Sequence, residues 1–206
     1  LVSFTSSGAT FSAGVAADLD FNGNHILDSP DLNNMQAGEA VWSFDGDDDF
    51  IEIPHNANID MGSGDFTFIY KGTLKNAAGG TDRFLRKGTG AGFQIQVANI
   101  SSNVTFVIGD GVDEYLDAYT SLYTADKEMT LTWVCDKDVG FFVYINGVLQ
   151  SETPTGTITD VGDISNALSL FLMKQSTGSN ISGQPSSFKL YNRALSAAEV
   201  LNLSAP

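Results

Sequence analysis

The sequence predicts an all-β protein: a two-sheet antiparallel β-sandwich with one short C-terminal helix. Three observations carry this. Apolar residues alternate with period two along most of the chain, Gly- and Asn-containing turn signals separate the alternating runs, and a single segment has the chemistry of a helix start. The strand faces follow in order. Phe66, Phe68 and Tyr70 share one face, as do Phe93, Ile95 and Val97 with Gln94 and Gln96 opposite. Val104, Phe106 and Ile108 repeat the pattern, and Met129, Leu131, Trp133 and Cys135 alternate with Thr130 and Thr132. Then come Phe141, Val143 and Ile145, Leu168, Leu170 and Leu172, and finally Phe188 and Leu190. β-branched and aromatic residues suit such half-buried pleated surfaces. Phe142 with Tyr144, and Phe171 with Met173, are apolar on the opposite side, which predicts a second sheet surface covered by loops.

Asn146-Gly147 between two such runs predicts a type I′ hairpin, whose two central residues both need positive φ. Lys137-Asp-Val-Gly140 closes the preceding hairpin, and Gly79-Gly80 and Gly88-Thr-Gly-Ala-Gly92 mark loops. Ser196-Ala-Ala-Glu199 is a capping box opening a short helix, with Val200, Leu201 and Leu203 as its apolar side. A helix this short must be held by docking on the sandwich.

Length and composition bound the function. With 206 residues, one domain spanning 1–206 is the expectation, and 42% hydrophobic residues exclude a disordered chain. The net charge of −15 argues against nucleic acid, whose binding rests on Lys and Arg, and against anionic lipid. Twelve acids, from Asp18 to Asp65, precede the first base, Lys71. That region either binds cations, faces a basic partner or is simply solvated. The one cysteine, Cys135, sits in an apolar run, so it reads as a buried thiol rather than a nucleophile, and no disulfide can form within the chain. No apolar stretch approaches the ~18–20 residues of a membrane span. The chain opens Leu1-Val-Ser-Phe, without a charged-then-apolar leader, the pattern of a processed or trimmed chain.

Five stretches together resemble a known family. Asp18-Leu-Asp-Phe-Asn-Gly-Asn-His25 is similar to the opening D-L-S-G-N-G-N-H of bacterial and phage laminin-G-like, concanavalin A-like domains. Trp42-Ser-Phe-Asp-Gly-Asp-Asp-Asp-Phe-Ile-Glu-Ile-Pro54 resembles their F-D-G-x-D-D-Y-V-x-I-P, and Phe84-Leu-Arg-Lys-Gly88 their I-L-S-K-G. Phe141-Phe-Val-Tyr-Ile-Asn-Gly-Val-Leu149 matches an L-Y-V-N-G-x-L hairpin, and Phe188-Lys-Leu-Tyr-Asn-Arg-Ala-Leu-Ser-Ala-Ala-Glu-Val200 a closing V-R-I-Y-N-R-A-L-S-x-x-E-I. The resemblance implies a jelly roll of roughly a dozen strands in two curved sheets. It also implies a non-catalytic module that binds glycans or other surfaces.

Four groups are candidate sites. Asp18, Asp20, Asn22, Asn24 and Asp28 place hard oxygen donors in a Gly-containing loop, as Ca²⁺ requires. The spacing opens like an EF-hand loop but fails at the twelfth position, Ser29, and the family's Asp ahead of the last strand is replaced by Ser186-Ser187. The competing reading is that these residues serve Asx-turns. Asp45-Gly-Asp-Asp-Asp49 reads as a tight turn rather than a cation site. For catalysis, retaining glycosidases need carboxylates about 5 Å apart. No E-x-D-x-x-E run occurs, Glu114 and Asp117 have the wrong spacing, and His25 and His55 lack a Ser or Cys partner. Gly109-Asp-Gly-Val-Asp-Glu-Tyr115 and Tyr119 to Tyr123 have the composition of a sugar site, but core placement of those tyrosines is the simpler reading. Sequons at Asn99, Asn103, Asn180 and Asn202 matter only in a eukaryotic secretory pathway.

The expected function is therefore a non-catalytic binding or structural module on a phage virion surface, as capsid decoration, head fibre or appendage, recognising a glycan or a virion or cell-surface protein. A free-standing chain of this length favours that setting. It would act as a homo-oligomer or within a particle, with Ca²⁺ as the candidate cofactor. The alternatives are a carbohydrate-binding or adhesion module of a secreted bacterial protein and, third, a polysaccharide-degrading enzyme.

Overall fold

The computed structural model describes residues 2–5, 8–11, 43–47, 49–75, 81–88, 90–98, 103–119, 122–151, 154–174 and 181–204. The described strands form two seven-stranded antiparallel sheets. The first contains β1 (Val2–Thr5), β2 (Gly8–Phe11), β4 (Phe66–Leu74), β9 (Met129–Asp136), β10 (Gly140–Ile145), β11 (Val148–Leu149) and β14 (Gly183–Tyr191). Their order is β11-β10-β9-β4-β14-β1-β2. The second contains β3 (Ile51–Ile53), β5 (Thr81–Gly88), β6 (Ala91–Ala98), β7 (Asn103–Asp110), β8 (Glu114–Tyr119), β12 (Pro154–Thr155) and β13 (Leu170–Leu172), ordered β12-β8-β7-β6-β5-β13-β3. The chain runs β5 to β8 as a meander but crosses between sheets after β2, β3, β4, β8, β11 and β13, as a jelly roll does.

The alternating residues meet between the sheets. Phe66, Phe68, Tyr70, Trp133 and Phe188 from one layer pack on Phe84, Phe93 and Phe106 from the other. Phe106 stacks on Phe141 at 3.6 Å between ring centroids. Tyr70 is fully buried, and its hydroxyl donates to the Thr73 carbonyl at 2.6 Å, so its polar tip is satisfied inside the core. Cys135 is also fully buried, and burial pushes its thiol pKa up to about 12.

Local chemistry matches the turn and cap expectations. Asn146 and Gly147 adopt φ of 50° and 79°, both positive as the hairpin requires. Asn146 Oδ1 also accepts the Thr130 N–H at 2.8 Å. The helix α1 (Ala197–Leu203) is capped by Ser196, whose hydroxyl accepts from Glu199 N while Glu199 accepts from Ser196 N at 2.9 Å.

Four expectations are corrected. The outer face of the first sheet is covered by α1 together with the segment leading into it, through a second cluster of Ile69, Val134, Tyr144, Leu195 and Val200. Leu201 does not join the apolar side of α1: it is 58% exposed, while Val200 and Leu203 pack inward. Phe171 and Met173 do not share a face, because Met173 turns to φ 62° beyond the end of β13 and enters the core. Leu168 likewise lies outside β13 and is exposed.

Candidate functional site

The outer face of the second sheet carries two rows of residues that run across the strands. Register places Glu52, Phe171, Arg86, Gln94, Val107, Leu116 and Thr155 side by side on seven successive strands. The neighbouring row is Gly88, Gly92, Gly109 and Glu114. A bulge between Arg83 and Leu85 turns both Phe84 and Leu85 into the core. The same extra residue leaves Arg83 and Arg86, three positions apart, on this outer face.

The glycine row forms the floor of an open trough of about 200 Å³, walled by Arg83, Gln94, Val107 and Glu114. Backbone geometry dictates the missing side chains. A Cβ on Gly88 (φ 97°) would lie 1.9 Å from the Ala91 carbonyl oxygen, and one on Gly92 (φ 131°) 1.9 Å from that of Lys87. Neither position tolerates any other residue. Arg83 Nε donates to Gln94 Oε1 at 2.8 Å, which fixes both side chains over the floor.

Two hydrogen-bond networks hold the rim, one around the buried Lys87 and one around Asp110 at the surface. Beneath the β5–β6 turn, the Lys87 ammonium donates to Asn166 O, and Asn166 Nδ2 donates to the Ala91 carbonyl at 3.2 Å. Burial lowers the Lys87 pKa, and the Asp60 carboxylate opposes that shift. At the other end, Asp110 accepts N–H groups from Val112 and Asp113, both at 2.8 Å, and from Gly162 at 2.7 Å. These backbone bonds hold its carboxyl pKa down at about 2.

Beside the trough stands an aromatic and cationic cluster. The Phe50 and Phe171 rings lie 6.3 Å apart. Lys174 Nζ sits 3.6 Å from the Phe50 centroid and 4.5 Å from that of Phe171, and the Arg86 guanidinium is 5.6 Å from the Phe171 centroid. Arg86 is made less basic by burial and by the adjacent Arg83 charge.

The residues singled out from sequence scatter. Asp18, Asp20, Asn22, Asn24, His25 and Asp28 lie outside the described residues. Among the described residues, no group of three or more His, Cys, Asp or Glu side chains is placed to hold a metal. Asp45 Oδ1 accepts Asp47 N at 2.7 Å and Asp49 Oδ2 accepts Asp45 N at 3.2 Å, a turn geometry. Glu114 points outward into the trough, whereas Asp117 is fully buried and accepts the Tyr119 hydroxyl at 2.6 Å. The two carboxylates therefore face opposite sides of β8 and cannot flank one bond. Tyr115, Tyr119 and Tyr123 are core residues; of the sugar-like segment, only Gly109 and Glu114 line the trough. His55 is exposed. Among the described residues, no helix is long and apolar enough to cross a membrane. Sequence reasoning missed Phe50, Phe171, Arg86 and Lys174; the apolar outward position of Phe171 was the one signal for them.

Known proteins share the fold. Solved structures with a similar fold include the binding domain of a Paraclostridial mosquitocidal protein, at 17% identity and a TM-score of 0.64, covering 80% of this chain and 45% of that one. The binding domain of botulinum neurotoxin serotype D matches at 14% identity and a TM-score of 0.64, covering 80% and 42%. The serotype D ligand-binding domain solved with N-acetylneuraminic acid matches at 12% identity and 0.62, covering 79% and 41%. The chain thus spans less than half the length of these structures, which share its fold. No curated protein matches the sequence. The family model described as the concanavalin A-like lectin/glucanases superfamily (Laminin_G_3) matches residues 45–201, most of the chain, and this protein belongs to that family.

Proposed function

We propose that this chain is a non-catalytic recognition module that holds a glycan on the outer face of its second sheet, and that it is displayed on the outside of a phage particle. The observation that carries the glycan reading is the glycine-floored trough, with Arg83, Gln94 and Glu114 as polar walls and an aromatic platform beside it. A pyranose ring needs a side-chain-free floor and converging hydrogen-bonding groups, and the trough supplies both. Structural neighbours that are binding domains, one solved with a sialic acid and another with rat synaptotagmin II, support recognition of a glycan or a surface protein. The opposed carboxylates of β8 support the non-catalytic reading.

A glycan array tests this together with Gly90→Trp. Gly90 lines the trough and has nothing within 4 Å of a built Cβ, so an indole there fills the groove without disturbing the fold. Binding that disappears in the variant, at an unchanged melting temperature, is the expected result. A blank array, or turnover of a polysaccharide, overturns the reading. The phage setting rests on the resemblance of the opening motif Asp18–His25 and the closing motif Phe188–Val200, and immunogold labelling of intact particles tests it. Labelling of a secreted multidomain bacterial protein instead would favour the carbohydrate-binding-module alternative.

A further inference from the structure

We infer that the glycan carries negative charge, and that Arg86 and Lys174 over the Phe50–Phe171 platform form a subsite for its carboxylate or sulfate group. The inference rests on the glycan reading above and adds the chemical class of the ligand.

The chain carries 25 acids against 10 bases, so a basic residue has abundant choice of partners. Yet among the described residues the side chains of Lys174 and Arg86 have neither a hydrogen bond nor an ion pair, and each lies over an aromatic face. Glu52 is beside Phe171 in register, and no ion pair joins it to either cation. Arg83 adds a third positive charge close enough to depress the Arg86 pKa. Cation–π contact at a half-exposed site is worth only about 0.5–1 kcal/mol. It does not offset the partial desolvation of Arg86 and its repulsion by Arg83, so Arg86 and Lys174 are left short of an anion. The Phe50 and Phe171 rings shield one side and leave the donors of Arg86 and Lys174 to face a ligand. A planar guanidinium matches a carboxylate or sulfate through paired N–H bonds.

Position ties the cluster to the trough. Arg86 and Gly88 lie two residues apart on one face of β5, a separation of about 7 Å. Neighbouring sugar residues span a comparable distance, so a chain seated on the glycine floor brings the substituent of its next unit under Arg86. The net charge of the protein opposes an acidic ligand at long range. That field is damped beyond about 10 Å at 0.1 M salt, whereas the contact pairs act within 4 Å.

Calorimetric titration tests the subsite with a galacturonic acid hexamer, its fully methyl-esterified uncharged form, a sulfated carrageenan hexamer and its desulfated form, and a polyglutamate peptide. The acidic member of one saccharide pair should bind about tenfold or more tightly than its neutral form. The pair that shows the gap tells carboxylate from sulfate. Arg86→Gln with Lys174→Gln should abolish the gap at an unchanged melting temperature. Equal binding of acidic and neutral forms, or a gap unchanged in the double variant, overturns the subsite and leaves the glycan reading standing. Polyglutamate binding as tightly as the best saccharide overturns the saccharide assignment, and a complete absence of saccharide binding overturns both.

Discussion

The ammonium of Lys87 donates to both oxygens of Asn166, the main-chain carbonyl at 2.7 Å and the side-chain Oδ1 at 3.1 Å. Its remaining side faces Asp60 Oδ1 at 3.7 Å. A nearly inaccessible lysine thus sits next to the floor glycine Gly88, and the residue that neutralises its hydrogen-bonding demand also grips the turn carrying that floor. Asn166 is the keystone: besides Lys87 it bonds Ala91 O, Ile164 O and Leu168 N.

Asn166→Ala removes those side-chain bonds, while the main-chain carbonyl of residue 166 and Asp60 still face the ammonium. Loss of about 1–3 kcal/mol is expected in urea denaturation, because the Lys87 ammonium loses one of its acceptors and the Ala91 carbonyl loses its donor. The β5–β6 turn should also exchange its amide hydrogens faster. A change within a few tenths of a kcal/mol would mean that Lys87 finds other acceptors and that the network does not hold the trough.

Asp110 contributes to the acid side of stability. Its carboxyl pKa falls from 3.8 to about 2 on folding, through backbone N–H bonds from Asp113, Val112 and Gly162. Because the folded value is the lower one, this stabilisation is complete above pH 3.8 and is lost as pH falls toward 2. Asp110→Asn presents an amide N–H₂ to at least one N–H donor. The variant should melt lower than the parent at pH 7, and the difference between them should narrow between pH 4 and pH 2. Parallel melting curves across that range would show that Asp110 does not carry the acid dependence.

What was legible in the sequence was whatever depends on neighbours along the chain. Period two found the core faces of β4, β7, β9, β10 and β14, and turn and cap chemistry found Asn146-Gly147 and Ser196. The β5 bulge was invisible, because Phe84 and Leu85 both turn inward and break the alternation. The binding face was less legible still. Phe50, Arg86, Phe171 and Lys174 come from distant segments, and only the pairing of β13 with both β3 and β5 brings them together. Cross-strand register is a tertiary property that no local window contains. The tyrosines of the sugar-like segment were placed by their alternation with Glu114 and Leu116, which turned them into the core.

Calcium is the remaining sequence-based proposal, and its test is independent of the sheet face. Twelve acids precede the first base, and Asp18, Asp20, Asn22, Asn24 and Asp28 offer hard oxygens at the spacing that suits this ion. A cation bound only by the folded state stabilises it by about 2.7 kcal/mol at a hundredfold excess over Kd. For a chain of this size that corresponds to a rise in melting temperature of about 5–10 °C. EDTA should therefore lower the melting temperature by that amount, and Ca²⁺ in excess should restore it. Asp18→Asn with Asp20→Asn should melt like the EDTA-treated parent and show no response to Ca²⁺. Mg²⁺, which demands a tighter octahedron, should restore less. A melting curve indifferent to EDTA would remove the site and leave Asx-turns as the reason for these residues.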